Sequence, residues 1–315
     1  MQKFEGVILA AGRGTRMLPF TTRWPKPILP ILGKPLLQHQ IEMMKSVGIQ
    51  KISIVIGHLG YEIVRAVGNG SMYGVEITYI EQTETLGIAH AVGRLESRIQ
   101  NPFLLCLGDI FFRTGDLDSM IDSFGEKETK AVLASKLEEN PEMIQRNFAI
   151  ILGKDGQQVT RVIEKPRYVQ NKLKGCGVYL FGLEIFDAIR RTPRTAMRDE
   201  YEITESIQIL IQDGHRVVNA QIINEDLNLT VPEDLLNINL LELRRQGLRN
   251  FFAQGSPRSA KLKDCVVGAR VSFGSGLTLE NCVVFDDVKL PKNANLRNAI
   301  VTPEAIIQCN PEKIT

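Results

Sequence analysis

The chain has 315 residues, of which 43% are hydrophobic and 23% charged, so it can bury a large core and a smaller second domain. Its formal net charge of +2 indicates neither a nucleic acid nor an anionic membrane as a partner. No apolar run has the length that spans a bilayer, and the run 6–11 is too short for a signal peptide because Gly12 and Arg13 interrupt it. The five cysteines are an odd number without close pairs, so we expect neither disulfides nor a zinc site, and a cytoplasmic location.

The first half of the chain alternates between the sequence periods of strands and helices. Short apolar runs predict buried strands at 7–11, 52–57, 77–80 and 103–107. Apolar residues at helical spacing predict helices at 35–47, 61–67 and 87–95. This alternation predicts an α/β fold with a Rossmann-like, mostly parallel sheet covered by helices. Because ligands of such sheets lie beyond the carboxyl ends of the strands, we expect the chemistry in the loops after Ala11, Ile80 and Leu107.

The pattern changes after Pro232. A long helix is predicted through about Ala253, and Gly255-Ser-Pro257 ends it. Beyond it, apolar residues recur every six positions, at 267, 273, 279 and 285, at 271, 277 and 283, and in a second phase at 290/296 and 294/300. A period of six resembles the hexapeptide repeat of left-handed β-helices. We therefore expect a main domain over 1–236, a helix and linker over 237–257, and a short β-helix-like domain over 258–315 whose ends need cover.

The segment after the first predicted strand carries the strongest local signal. Its glycines allow backbone N–H groups to approach an anion closely. Between Gly12 and Lys34 there is no acidic residue, and five are basic: Arg13, Arg16, Arg23, Lys26 and Lys34. The segment is neither a P-loop nor a dinucleotide fingerprint, since no Gly-Lys-Ser/Thr follows and Met17 replaces the third glycine. It suits several phosphates, although a lone Gly-Arg-Gly would equally fit a solvated turn.

The whole stretch Gly12-Arg-Gly-Thr-Arg-Met-Leu-Pro-Phe-Thr21, with Pro25-Lys-Pro-Ile-Leu-Pro30, resembles the signature of the sugar-1-phosphate nucleotidylyltransferases. The nearest resemblance is to glucose-1-phosphate thymidylyltransferases and uridylyltransferases. Further matches recur in order through about Leu236, which is more specific than any single motif. The resemblance implies an enzyme, with its catalytic domain over 1–236, that joins a nucleoside triphosphate to a sugar 1-phosphate, releases pyrophosphate and uses Mg²⁺.

The resemblance implies a nucleotide site along the first strand and its loop. Its lining residues would be Leu9, Ala10, Gly12, Arg13 and Gly14. Arg16 and Lys26 would hold the triphosphate and stabilise the charge of the departing pyrophosphate. In the segment Glu81-Gln-Thr-Glu-Thr-Leu-Gly87, Gln82 and Gly87 would contact the base. Because an amide both donates and accepts, Gln82 favours a pyrimidine, and hence dTTP or UTP.

One carboxylate at the end of a predicted strand is the candidate magnesium ligand. Asp109 in Leu107-Gly-Asp109 could cap a helix or bind a metal, and the resemblance implies the metal. The second ligand of the family falls on Asn228, before Pro232-Glu-Asp-Leu-Leu236. An amide oxygen can bind Mg²⁺ but brings no charge. Asp226 is the alternative ligand, unless strand alternation turns it to the surface.

The sugar side is implied by three later motifs. In Glu164-Lys-Pro166, Lys165 would bind the sugar phosphate and Glu164 a sugar hydroxyl. The remaining residues implied for this side are Gly177, Tyr179, Arg198 and Glu200. Glu200 could equally be a carboxylate favoured at a helix start. Glucose 1-phosphate is the favoured acceptor, although Ile110 and the stretch 147–150 depart from the family pattern and leave the sugar open.

Two other functions remain open. A cytidylyltransferase acting on a non-sugar phosphate would keep the N-terminal motif, and a catalytically inactive regulatory subunit would keep the fold. All four histidines precede residue 258, so the tail has no imidazole base and a second catalytic site there is not expected. We expect a packing or assembly role for the tail, and a homo-oligomer.

Overall fold

The computed structural model of the protein describes residues 3–126, 128–196, 199–256 and 261–310. Its strands are β1 Glu5–Ala10, β2 Pro30–Ile31, β3 Lys34–Pro35, β4 Lys51–Ile56, β5 Glu76–Glu81, β6 Phe103–Leu107, β7 Ile110–Thr114, β8 Thr129–Leu137, β9 Phe148–Leu152, β10 Val159–Glu164, β11 Leu173–Phe181, β12 Arg216–Ala220, β13 Ile223–Asn228, β14 Asn250–Phe252, β15 Leu262–Val267, β16 Ser272–Phe273, β17 Thr278–Val284, β18 Lys289–Leu290, β19 Asn295–Val301 and β20 Ile306–Gln308. Its helices are α1 Leu36–Ser46, α2 Gly60–Val67, α3 Ile88–Gly93, α4 Asp118–Gly125, α5 Pro141–Gln145, α6 Ile185–Arg191, α7 Ile203–Gln212 and α8 Pro232–Arg245.

The chain forms two compact units, and each of them combines two segments that are separate in the sequence. The first comprises Met1–Arg13 and Gln40–Asp226, and the second comprises Gly14–His39 and Leu227–Thr315. The loop with the glycine-arginine signature therefore belongs mostly to the same unit as the C-terminal tail. Sequence patterning gave no indication of this division, because it depends on contacts between segments about 200 residues apart.

The first unit is built on a nine-stranded sheet with the order β10-β9-β11-β6-β1-β4-β5, to which β8 and β12 add beside β11. The strands β6, β1, β4 and β5 are parallel to one another. Their apolar runs are buried, as expected of parallel strands. The predicted α/β fold with a mostly parallel central sheet is confirmed. On the far side of β6 the sheet continues antiparallel through β11, which the sequence pattern did not predict.

The main core lies where this sheet meets α3, α6 and α7. Stacked and tilted rings hold β6, β11 and α6 together, with Phe103 5.9 Å from Phe181 and 5.6 Å from Phe186 between ring centroids. Each of these three side chains is at most 4% exposed. This packing makes the sheet a rigid base for the loops at the strand ends.

The second unit corrects the prediction of a helix through Ala253. Helix α8 ends at Arg245, and the backbone N–H groups of 246–248 bond back to carbonyls of Glu242, Arg244 and Leu243. These bonds satisfy the last carbonyls of the helix and turn the chain. Residues Asn250–Phe252 then form strand β14, which pairs with β15. The helical spacing of apolar residues does not reveal this pairing because β15 lies further along the chain.

The tail is a stack of parallel strands with a repeat of 17 residues. Leu262, Leu279 and Leu296 are in register on β15, β17 and β19, and β16 pairs with β18 in the same spacing. Left-handed backbone conformations recur at the corners, at Asp264, Asn281 and Asn298 and again at Arg270 and Asp287. With a third corner at Gly276, the coil has two sides of six residues and one of five. The five-residue side, between Gly276 and Asn281, breaks the period of six, so Val267 is in register with Val284 and not with Phe285. Strands β14 and β20 cover the two edges of this sheet.

Among the residues that the structure describes, no helix has the length and apolar character needed to cross a bilayer.

Candidate active site

In the first unit, backbone hydrogen bonds hold the carboxyl ends of β1 and β6 together. Leu9 and Leu107 are register partners on these parallel strands, and the Gly108 N–H donates to the Leu9 carbonyl oxygen at 2.8 Å. A Cβ at Gly108 would lie 2.6 Å from that oxygen, so only glycine allows this approach. The next residue is Asp109, which is half-buried. The structure thus brings Asp109 beside the end of the strand that leads into Gly12.

A buried glutamine, which sequence reasoning missed, supports the turn that contains Asp109. The Gln40 amide is 2% exposed and donates to the carbonyl oxygens of Leu107 and Ile110, both at 2.8 Å. These two bonds flank Asp109 and fix the backbone on either side of it. In the sequence Gln40 is simply a polar residue within the predicted helix 35–47, so no local signal reveals its partners.

Gly12 and Arg13 are exposed at the end of β1, while Leu9 is half-buried and Ala10 buried. A Cβ added at Gly12 would have no atom within 4 Å, and the backbone of Gly12 has no left-handed conformation. Packing and backbone geometry therefore give no reason for a glycine at this position. A ligand that approaches the backbone would give one.

Gln82 and Gly87 follow β5, in the segment for which the resemblance predicts contacts to the base. Gln82 is 6% exposed, and its Nε2 lies 3.4 Å from Nδ1 of His90. Burial lowers the pKa of His90, and the nearby Arg94 adds to the effect, so the ring favours its neutral form. Gly87 has φ of +111°, and a Cβ there would lie 2.5 Å from the carbonyl oxygen of Tyr201. Contact with the Tyr201 backbone is thus one structural reason for this glycine.

Glu164 and Lys165 lie at the end of β10. The Thr204 hydroxyl donates to Glu164 Oε2 at 3.1 Å, and Lys165 Nζ lies 3.8 Å from Glu164 Oε1. The backbone of Lys165 has φ of +42°, and its N–H donates to the Asn147 carbonyl oxygen at 2.8 Å. A non-glycine residue in this conformation costs free energy and is enriched at functional sites. The lysine side chain is about one-third exposed.

The residues implied for the sugar pocket are only partly at the surface. Tyr179 is 2% exposed, with its ring stacked between Phe148 and Phe181 at centroid distances of 6.0 and 5.4 Å. Burial raises the pKa of Tyr179 well above its ordinary value, and Glu164 adds to the effect. Gly177 has φ of +74° and packs against Leu107.

Two further residues implied for the sugar side lie beyond β11. The backbone carbonyl oxygen of Glu200 accepts from the N–H of Thr195 at 2.9 Å, and the Glu200 side chain is half-buried. Arg198 lies outside the described residues.

A chain of buried charges joins three strands of the first unit. Asp226 of β13 lies 2.6 Å from Nζ of Lys174 on β11 and 2.9 Å from Nζ of Lys136 on β8. Lys136 also pairs with Glu138 at 3.1 Å. The side chains of Asp226 and Lys174 are 0% exposed. Although burial disfavours the charged form, the Asp226 and Glu138 carboxylates raise the pKa of Lys136.

This charge chain corrects the view of Asp226 as a possible surface residue. The two lysines are direct register partners on β8 and β11, so their like charges need an acid between them. Asp226 supplies it and is held by two ammonium groups. Sequence reasoning missed Lys174, whose only signal is a lysine in the otherwise uncharged run 173–181.

In the second unit, the loop with Arg16 and Lys26 folds on itself. The Thr21 hydroxyl and the Met17 N–H both donate to the Gly14 carbonyl oxygen, at 3.0 and 2.8 Å. A Cβ on Gly14 would lie 3.0 Å from Cε of Lys26, so the lysine stem runs beside this glycine. Lys26 is 8% exposed, whereas Arg16 is exposed. The loop thus holds one cation on a packed stem and leaves the other at the surface.

Asn228, the last residue of β13, is half-buried and belongs to the second unit. Within the described ranges, no three His, Cys, Asp or Glu side chains cluster as a metal cage. Magnesium does not require such a cage, because it is commonly held by one or two protein oxygens together with substrate phosphates and water. The oxygen donors of Asp109 and Asn228 therefore fit Mg²⁺ by their chemistry.

Comparisons with known proteins identify the family of the chain. A family model described as Nucleotidyl transferase matches residues 5–227. The low-salt glycan biosynthesis nucleotidyltransferase Agl11 of Haloferax volcanii is 36% identical over 78% of this chain and 68% of its own. The UTP–glucose-1-phosphate uridylyltransferase AglF of the same organism is 34% identical over 73% of this chain and 93% of its own.

A solved structure gives the same picture. A Bacillus anthracis protein described as a glucose-1-phosphate thymidylyltransferase, in complex with sucrose, superposes with a TM-score of 0.67 and 26% identity. The match covers 76% of this chain and 94% of that protein. The chain belongs to the nucleotidyl transferase family. It is an enzyme of the sugar-1-phosphate nucleotidylyltransferase class, which confirms the resemblance seen in the sequence.

Proposed function

We propose that this enzyme forms an NDP-sugar and pyrophosphate from a nucleoside triphosphate, dTTP or UTP, and a sugar 1-phosphate, glucose 1-phosphate being favoured. The proposal rests on the hydrogen-bonded ends of β1 and β6, where Gly108 holds Asp109 beside the strand that leads to Gly12. A free backbone edge for an anion and a carboxylate for its metal are the two parts that phosphate chemistry needs. The names of the relatives support the choice of base and sugar.

In this mechanism an oxygen of the sugar phosphate attacks the α-phosphorus in line, the P–O bond to pyrophosphate breaks, and pyrophosphate departs. The attacking oxygen is already ionised at neutral pH, so no protein base is required. The protein contributes position and charge. Arg16 and Lys26 would neutralise the leaving group, and Lys165, with Arg198, would orient the attacking phosphate. Gln82 would read the base.

Enzymes of this family generally use a divalent metal ion, and we propose Mg²⁺ held by Asp109 and Asn228. When bound, the ion would neutralise phosphate charge. Asp226 is a weaker candidate ligand because two lysine ammonium groups already contact its carboxylate. Leu9, Ala10, Gly12, Arg13, Gly14 and Gly87 would line the nucleotide site, and Glu164, Gly177, Tyr179 and Glu200 would serve the sugar.

We further propose that the tail is a short left-handed β-helix, that the catalytic domain spans 1–236, and that the enzyme is a cytoplasmic homo-oligomer. The 17-residue repeat with left-handed corners supports the β-helix. The five cysteines Cys106, Cys176, Cys265, Cys282 and Cys309 are free and buried, which supports a reducing compartment.

The test is pyrophosphate release with Mg²⁺, for each common nucleoside triphosphate against the 1-phosphates of glucose, galactose, mannose and N-acetylglucosamine. We expect a strong signal for dTTP or UTP with glucose 1-phosphate. Phosphocholine with CTP is included, because activity on that pair alone would favour the non-sugar cytidylyltransferase. Folded protein that is inactive with every pair would favour the regulatory subunit.

Two variants locate the activity. Asp109→Asn should lower turnover by about 100-fold or more because it removes the charge that holds the metal, whereas Asp122→Asn, on the exposed face of α4, should not.

Because the added Cβ enters open space, Gly12→Ala should leave the free energy of unfolding unchanged. It should weaken nucleotide binding, because the Cβ hinders close approach of a phosphate to the backbone. Gly125→Ala is the matched control, because its Cβ is equally free. Nucleotide binding that survives Gly12→Ala would count against the proposed phosphate site.

A further inference from the structure

Phe285 follows strand β17 of the tail, and its ring contacts two aromatic side chains of the loop 14–39. It is stacked on Phe20 with 5.9 Å between ring centroids and lies edge-on to Trp24 at 5.5 Å. Phe285 is 7% exposed and Phe20 only 1%. The three rings therefore form a packed aromatic cluster, with one ring from the tail and two from the loop.

The next coil of the tail reaches the same part of the loop. Val301, whose carbonyl oxygen accepts from the Phe285 N–H, belongs to this coil, and Glu304, three residues further on, forms an ion pair with Arg23. The Arg23 guanidinium also lies over the Trp24 ring, 5.1 Å from its centroid. Two successive coils thus contact three side chains of the loop. The ion pair is about half exposed, so the aromatic contacts contribute more than it does to the free energy that holds the loop on the tail.

In the sequence, the loop residues that make these contacts lie between Arg16 and Lys26. Phe20 precedes Thr21, whose hydroxyl donates to the carbonyl oxygen of Gly14, the residue beside the Lys26 stem. Trp24 donates its backbone N–H to Phe20 at 2.9 Å and is followed by Pro25 and Lys26. A displacement of either ring would therefore shift the backbone that carries Lys26.

We propose that the C-terminal tail is a positioning element for this loop. Phe285, supported by Glu304, holds Phe20 and Trp24 and thereby fixes the conformation in which Arg16 and Lys26 meet the triphosphate. The tail then serves catalysis without a catalytic group of its own. This role of the cations rests on the proposed function, whereas the grip of Phe285 on the loop stands on its own geometry.

The chain provides its own reporter, because Trp24 is its single tryptophan. In Phe285→Ala we expect the emission of Trp24 to shift to the red and its quenching by acrylamide to increase. Affinity for pyrophosphate in the presence of Mg²⁺ should fall about tenfold, the scale of one lost aromatic contact. KM for the sugar 1-phosphate should change by less than about twofold, because Lys165 belongs to the other unit.

Phe273→Ala is the matched control. It removes a phenylalanine ring from the same tail, where Phe273 is in register with Leu290 of the neighbouring coil. If this variant changed Trp24 emission and pyrophosphate affinity as much as Phe285→Ala does, general loosening of the tail would explain both, and the proposal would be wrong. Unchanged emission, quenching and affinity in folded Phe285→Ala would also overturn it.

Two milder variants protect the test if Phe285→Ala does not fold. Phe285→Leu keeps an apolar side chain, and Glu304→Gln removes only a surface charge; each should increase the acrylamide quenching of Trp24, Glu304→Gln the less. If neither does, the proposal is wrong. If the wild type binds neither nucleotide nor pyrophosphate, the proposed function is wrong, and the quenching data alone decide whether the tail holds the loop.

Discussion

The two units hold segments next to their candidate site residues by different interactions. In the first, β13 is tied to the large sheet by Asp226 and its two lysine partners, with two side chains that are 0% exposed. In the second, the loop of Arg16 and Lys26 is held by aromatic rings and by an ion pair open to solvent. Buried charges are costly to separate, whereas aromatic contacts weaken gradually as packing is lost. We therefore expect a single substitution to destabilise the first region strongly, whereas a substitution in the second region should only increase its local mobility.

The largest expected effect is that of Asp226→Ala. This change leaves the fully buried Lys174 without its acid, and removing one partner of a buried pair costs about 3–5 kcal/mol. The free energy of unfolding in urea measures it.

Lys174→Met is the informative comparison, because Asp226 then keeps Lys136 at 2.9 Å. It should cost clearly less than Asp226→Ala. Equal losses of unfolding free energy in the two variants would mean that the three charges do not act together. The contrast between buried charges in the first unit and aromatic contacts in the second would then be wrong.

The next effect concerns catalysis in the second region. Lys26→Met keeps the apolar stem that runs beside Gly14 and removes the charge. Turnover should fall about 10²- to 10³-fold, as when one preorganised group at a developing charge is lost, while the unfolding free energy stays near that of the wild type. Steady-state kinetics measures it, with Lys34→Met in the same loop as control. Full turnover in Lys26→Met would remove this lysine from the mechanism.

The smallest effect is a difference in acid sensitivity. Burial alone would raise the pKa of Glu138, but the Asn140 N–H and the Lys136 ammonium lower it below its ordinary value of 4.5. A carboxyl with a lowered folded-state pKa stabilises the protein above that ordinary value, and the stabilisation is lost as pH falls through the folded-state value. The unfolding free energy should therefore fall more steeply below about pH 4.5 in the wild type than in Glu138→Gln.

The aromatic region supplies the reference for that titration. Phe285→Ala removes no charge, so its unfolding free energy should follow the pH slope of the wild type. Identical slopes for the wild type and Glu138→Gln would show that Glu138 gains nothing from its partners.

Local patterns predicted much of the first unit well. The helices predicted at 35–47 and 61–67 appear as Leu36–Ser46 and Gly60–Val67, and the strand predicted at 103–107 appears with the same bounds. The order β1, β4, β5 follows from this alternation of short runs. The antiparallel side of the sheet does not, because β11 pairs with three strands that lie at different distances before it in the chain, β6, β8 and β9.

The sequence by itself determined the family, the glycine-rich and basic composition of the loop after β1, and Asp109 as the carboxylate that follows β6. Each depends on neighbouring residues, whose spacing is visible in the chain. Only the tertiary structure decided that Asp226 is buried between two lysines, that Gln40 brackets Asp109, and that Phe285 reaches Trp24. These contacts join residues that lie between 52 and 261 positions apart in the chain. Hydrophobic periodicity carries no information about which distant side chains will meet.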